Sequence, residues 1–188
     1  MNNGKAKVED IGSGIMVEVP SKKNWFLLIF GTFWLCGWAF GAIMVLGTLG
    51  IFSGATGVGG PFMFMVFWLC AWTAGGLFIM TTILWGYFGK EKLMASQGEV
   101  VFEKTVFNIG IKKRLNASSV TNFRIQHIDD SLFGGSRMAI YGLGPGRIKF
   151  DYGFKTYSFG LALDEAEAQY LVDLLNKKIV KQSSNPIS

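Results

Sequence analysis

Phe52-Ser53-Gly54-Ala55-Thr56-Gly57-Val58-Gly59-Gly60-Pro61 lies inside a run of 66 residues, 24 to 89, that contains no Asp, Glu, Lys or Arg. Its glycines break a helix, and Pro61, with no N–H to donate, suits a first helical turn. On either side lie two apolar stretches of 28 residues, 25–52 and 61–88. A helix needs about 20 apolar residues to cross a bilayer. Each stretch is long enough to cross with tilt, or with one end among the headgroups. The reading is two spanning helices joined by a tight turn at 53–60. A buried hairpin in a soluble protein is disfavoured, because soluble helices of this length keep a polar face.

Charge is concentrated elsewhere. Only 16% of the 188 residues are charged, yet the last 100 residues hold 24 of those side chains. This split excludes a disordered chain, a disulfide scaffold and an ordinary soluble globule. It divides the chain into a segment 1–23, a hairpin 24–88, a polar domain 89–182 and a tail 183–188. Lys5, Lys7, Lys22 and Lys23 precede the first span and Lys90 and Lys92 follow the second, while the turn carries no charge. The excess of lysine on one side predicts both termini in the cytoplasm, in a multi-pass protein of the cell (inner) membrane. Trp25, Trp85 and Tyr87 stand at the cytoplasmic ends of the spans, where amphipathic rings favour the interface. A cleavable signal peptide is not expected, since the apolar run starts late and is too long.

The spans carry a repeat. Phe33-Trp34-Leu35-Cys36-Gly37-Trp38-Ala39-Phe40-Gly41 recurs 34 residues on as Phe67-Trp68-Leu69-Cys70-Ala71-Trp72-Thr73-Ala74-Gly75. Gly37 with Gly41, and Ala71 with Gly75, are small residues four apart, a spacing that lets helix backbones approach closely in lipid. Trp34 with Trp38, and Trp68 with Trp72, form aromatic ridges at the same spacing. Two readings stay open: a contact surface for a partner membrane protein or flat hydrophobic ligand, or self-packing of the hairpin with Trp facing lipid. Counted from the cytoplasmic ends at 1.5 Å per residue, Cys36 and Cys70 differ in depth by about 10 Å, too far for a disulfide. They are read as buried thiols serving as small apolar residues. Two helices without an ionisable residue do not make a transport pathway.

Beyond the spans the pattern shortens. Lys92–Ala95, Val100–Phe107, Ile109–Leu115, Val120–Ile125, Arg137–Tyr141, Arg147–Tyr152 and Lys155–Phe159 read as six or seven strands, with Gly153 in a tight hairpin. Asp164 and Glu167 read as a capping box opening a helix. Ala168, Leu171, Val172, Leu175 and Ile179 form its apolar stripe, with Lys177, Lys178 and Lys181 at the end where the dipole favours cations. Gly14–Pro20 alternates like a further strand that joins this sheet's edge or a partner's.

The stretch Ile148-Lys149-Phe150-Asp151-Tyr152-Gly153-Phe154-Lys155-Thr156-Tyr157-Ser158-Phe159-Gly160, with the helix after it, resembles the end of a pleckstrin-homology-like (PH-like) domain. The chain resembles bacterial membrane proteins that join one or two spans to such a domain. The resemblance implies an α+β membrane protein: a two-helix transmembrane hairpin, then a PH-like β-barrel or sheet of six to seven antiparallel strands with a C-terminal capping helix. In layout alone it is also similar to the photosystem I assembly factor family.

The polar residues suggest little chemistry. His127 with Asp129 and Asp130 is one His beside loop carboxylates, more often a turn than a metal site. Gly142-Leu143-Gly144-Pro145-Gly146 is followed by a strand, not by the helix a phosphate loop needs. Asn116-Ala117-Ser118 matches a glycosylation acceptor but falls on the cytoplasmic side. No acid–base pair, nucleophile or metal set converges, so no enzyme, cofactor or metal is expected. Lys112-Lys113-Arg114 is the one dense basic run, near Lys104 and Arg124; it reads as an anionic-lipid contact or as a solvated strand that resists aggregation. Nucleic acid is not expected, because no stacking platform accompanies the run. The sequence therefore suggests an interaction protein, an accessory subunit or assembly factor of a membrane complex. Its partners would be lipids and other membrane proteins or copies of itself. The alternative is a tethered lipid-headgroup sensor.

Overall fold

The computed structural model describes residues 4–12, 14–55, 60–96, 98–127, 139 and 142–183, excluding the side chains of 49–55, 60–61 and 180–183. The chain forms two units: residues 25–84, and residues 1–24 together with 85–188.

The first unit is a helical hairpin. Helix α1 runs Trp25–Ala55 and α2 runs Gly60–Phe88, both long and apolar enough to cross a membrane. Neither has a polar face, so the hairpin is organised by side-chain size. Where Gly31 stands, a Cβ would lie 2.8 Å from the Ile83 side chain; at Gly76 it would lie 2.0 Å from the Trp38 indole. These glycines are the points of close approach. Hydroxyl groups are satisfied within each helix: Thr32, Thr48, Thr81 and Thr82 donate to the carbonyls of Leu28, Met44, Leu77 and Phe78, four residues back, at 2.7–2.9 Å. That is the bonding a threonine adopts where water is absent.

The second unit holds two antiparallel sheets and a helix. One sheet has five strands in chain order: β1 (Lys7–Asp10), β2 (Gly14–Pro20), β3 (Gly89–Ser96), β4 (Glu99–Val106) and β5 (Ile109–Asn116). The other has β6 (Val120–Ile125), β7 (Ile148–Tyr152) and β8 (Lys155–Phe159). Helix α3 spans Glu165–Ser183. The expected single sheet or barrel is thus corrected to two sheets, neither closed into a barrel. The expected strand at Arg137–Tyr141 lies outside the described residues, apart from Ala139.

Residues 5–20 are part of this unit, not a separate leader to the first span. The alternation of Ile15, Val17 and Val19 buries one face of β2, which pairs with β3 in a register running from Gly14↔Ser96 to Pro20↔Lys90. Ser21 extends the ladder, its N–H donating to Gly89 O at 2.9 Å and its hydroxyl to Gly86 O at 3.0 Å. The whole helical hairpin is therefore an insertion between two hydrogen-bonded strands.

The core lies between the sheets and α3. Phe150 packs edge-on to Phe102 across the sheets, stacks on Phe123 and Tyr157, and is fully buried with Phe159. Ala168, Leu171, Val172, Leu175 and Ile179 all bury into it, the stripe read from the sequence. Asp164 Oδ1 accepts the Glu167 N–H at 2.8 Å, which caps α3. Glu167 does not complete the box. Its Oε1 accepts the Ala6 N–H at 2.7 Å, while Lys5 donates to Ala162 O and Lys178 pairs with Asp10. The N-terminal segment is strapped to the start of α3 at the expense of the local cap.

Candidate functional site

The repeat of the spans divides into an inner and an outer set. Trp38 Nε1 donates to Trp72 O at 2.9 Å, and Trp72 Nε1 to Trp38 O at 3.5 Å, a reciprocal bridge between equivalent positions of the two copies. Trp34 lies against Trp72 at 5.9 Å and Trp68 stacks on Trp72 at 4.8 Å. Gly41 lies 3.8 Å from the Trp72 ring at its Cβ position. These residues hold the hairpin together. Gly37 and Gly75 have nothing within 4 Å of a Cβ position, and Ala71 is exposed on the same unit. Phe33, Phe67, Cys36 and Cys70 also face outward. The two cysteines are free and exposed on the hairpin, which corrects their reading as buried thiols. The sequence gave no signal for Gly31 and Gly76, which lie outside the repeat yet make the closest contacts.

The basic run falls on β5, the edge of the larger sheet. Side chains alternate across a strand, so Lys112 and Arg114 share one face and Lys113 the other. Lys112 bonds Glu103 on β4 at 2.5 Å, and Lys113 lies 5.0 Å from the Tyr157 ring centroid. Of the neighbouring cations, Lys104 is held by Glu91 at 2.7 Å and Arg124 by Asp151. The three residues do not converge on one headgroup. What β5 presents instead is apolar: Ile109 and Ile111 are 81% and 67% exposed, and Phe107 just before the strand is exposed too. No strand pairs with the outer edge of β5 among the described residues.

Two carboxylates organise the polar interior. Glu91 is buried on the core face of β3; it holds Lys104 through Oε1 and accepts the Gly160 N–H through Oε2 at 2.5 Å, tying the larger sheet to the end of β8. Gly160 has φ +78°, which suits glycine at this turn. Asp151 takes the Arg124 guanidinium in a fork, the Thr156 hydroxyl and the Asn122 amide, and these bonds, Arg124 first, hold its carboxyl far below the usual range. Asn122 sits at φ +61° in the irregular register of β6, which aims its amide at Asp151. Burial pushes the Glu18 carboxyl up, but the ammonium groups of Lys90 and Lys92 outweigh it and leave it lowered.

His127 Nδ1 lies 3.4 Å from Glu165, both exposed, and Asp129 and Asp130 lie outside the described residues. Asn116 uses its side chain locally, accepting from the Ser118 N–H and hydroxyl. Trp85, placed by sequence at an interface, donates to Gly142 O at 2.8 Å, and so fastens the glycine loop beside the root of α2. Comparison with known proteins finds no matching family model, no matching curated protein and no matching solved structure.

Proposed function

We propose that the protein is a non-enzymatic integral membrane interaction protein, an accessory subunit or assembly factor that contacts its partner through the sheet edge and the outer face of the hairpin. The observation that carries this reading is β5: an open strand edge whose apolar residues Ile109 and Ile111 stand in solvent. An unpaired edge accepts an added strand from another chain, and lipid cannot supply those backbone hydrogen bonds. The outward Gly37, Ala71 and Gly75 support it, since a glycine that weakens a helix without serving its own hairpin invites close approach by a second one. The domain keeps the PH-like reading as its parent fold.

The hairpin crosses the membrane twice in this reading. The residues before α1 and after α2 pair in one sheet, so both helix roots lie on one side, and the flanking lysines favour the cytoplasm. Lys112, Lys113 and Arg114 serve here as guards that keep the exposed edge soluble, not as a headgroup site.

The test is purification in mild detergent. The wild type migrates in a complex larger than itself. Ile109→Lys with Ile111→Lys, or Gly37→Leu, releases it as a folded smaller species, while charge reversal at Lys112–Arg114 leaves the complex intact. A wild-type monomer whose vesicle binding disappears on that charge reversal overturns the proposal in favour of a lipid sensor.

A further inference from the structure

At the junction where α2 runs into β3, the sheet unit carries a cavity of about 510 Å³ lined by Pro20, Lys23, Tyr87, Phe88, Lys90 and the β4–β5 turn. That volume falls in the ordinary range of small-molecule sites. Its polar lining is Lys23, Lys90, Thr105 and Asn108, with no carboxylate among its lining residues. Its apolar wall is Phe88 and Phe107, whose ring centroids are 4.3 Å apart.

The turn that closes the cavity is built against local preference. Phe107 and Asn108 have φ of 51° and 63°, the two positive angles of a two-residue hairpin turn that favours Asn-Gly. Asn tolerates that region; a bulky aromatic rarely takes it. A residue held there against its preference marks a place where the surroundings require it. Here the surroundings are the Phe88 ring and the cavity mouth.

We propose that this cavity binds the phosphate of an anionic phospholipid, with Lys23 and Lys90 as the cationic partners, Thr105 and Asn108 as hydrogen-bond donors, and the Phe88–Phe107 pair beside the glycerol and first acyl carbons. Charge and position argue for this occupant. The lining is cationic and polar on one side and aromatic on the other, which matches a lipid at its headgroup boundary. Phe88 is the last residue of the apolar helix, so the cavity begins where the span ends. Glu18 is not in the lining; it bridges both Lys90 and Lys92, so it keeps a partner when Lys90 is replaced.

The inference rests on the reading of α2 as a membrane span, and the experiment separates the two. The full chain is placed in nanodiscs of phosphatidylcholine alone or with phosphatidylglycerol, and retained lipid is counted by native mass spectrometry. Inorganic phosphate and glycerol 3-phosphate are titrated against the detergent-solubilised protein as the soluble source of the same group. The expected result is retained phosphatidylglycerol, weakened about tenfold in Lys23→Gln with Lys90→Gln, weakened in Phe107→Asn, which suits the turn but removes the ring, and unchanged in Lys112→Gln with Lys113→Gln. Equal loss in both lysine pairs would mean diffuse attraction and overturn the site. Retention unaffected by Lys23 and Lys90 overturns it as well. Saturation by inorganic phosphate in the same range assigns the site to a free anion and overturns the lipid. Separately, extraction of the wild type from membranes by alkaline carbonate would refute the membrane reading itself.

Discussion

Gly75 and Gly76 are neighbours in one apolar helix, and they differ more than any two distant residues of the hairpin. A Cβ at Gly76 would enter the Trp38 indole at 2.0 Å, while a Cβ at Gly75 would meet nothing within 4 Å. In the sheet unit, inside and outside are separated by polarity: β2 alternates Ile15, Val17 and Val19 inward with Met16 and Glu18 outward. In the hairpin every side chain is apolar enough for either side, and only size decides. The two units thus follow different rules in one chain, and each rule fails under a different substitution.

The largest effect is expected in the sheet unit. Phe150→Ala removes the ring that packs against Phe102, Phe123, Tyr157 and Phe159, and large-to-small changes at such sites cost about 3–5 kcal/mol. Chemical denaturation followed by circular dichroism checks it; a loss below 1 kcal/mol would mean the sheets do not share this core.

An intermediate effect is expected at the paired glycines. Gly76→Ala forces Trp38 from its seat and disturbs its bond to Trp72 O, at a cost of about 1–3 kcal/mol. Gly75→Ala is neutral or slightly stabilising, since alanine is the better helix former by about 1 kcal/mol. Trp fluorescence and thermal unfolding in detergent compare them; equal behaviour of the two variants breaks the size rule.

The smallest effect depends on pH. Asp151 has a carboxyl pKa lowered in the fold by Arg124, Thr156 and Asn122, from an unfolded value of about 4. A lowered folded pKa means the folded state binds fewer protons near that value. The stabilisation is therefore fully present above about pH 4 and is lost as pH falls below it. Asp151→Asn lowers the melting temperature at neutral pH and flattens its acid dependence. An unchanged acid slope would show that the fork to Arg124 contributes nothing.

Much of the fold can be read from local pattern. The β7–β8 hairpin around Gly153 and the stripe from Ala168 to Ile179 follow from alternation and helical spacing, which are properties of neighbouring residues. The pairing of β2 with β3 is not local: Gly14–Pro20 alternates as well for a partner's sheet as for its own. The repeat was visible, yet the sense of its tryptophans was not, because a helix without a polar face gives no clue to which side faces its neighbour. Glu167 was misplaced for a related reason. Its spacing from Asp164 satisfies the capping box, but the Ala6 N–H, brought near only by the finished fold, competes for the same oxygen.

The placement of the hairpin between β2 and β3 also orders events at the ribosome. Strands β1 and β2 emerge first and can pair only with each other, while the residues that complete their sheet are still 66 uncharged positions away. Strand β3 reaches β2 only after the second helix has returned to the side the first one left. Sheet completion is therefore a checkpoint on membrane integration: a chain in which only one helix has crossed leaves β2 and β3 on opposite sides of the bilayer. Such a chain displays Val17 and Val19 without Leu93 beside them, the kind of unpaired apolar strand that proteases and chaperones recognise.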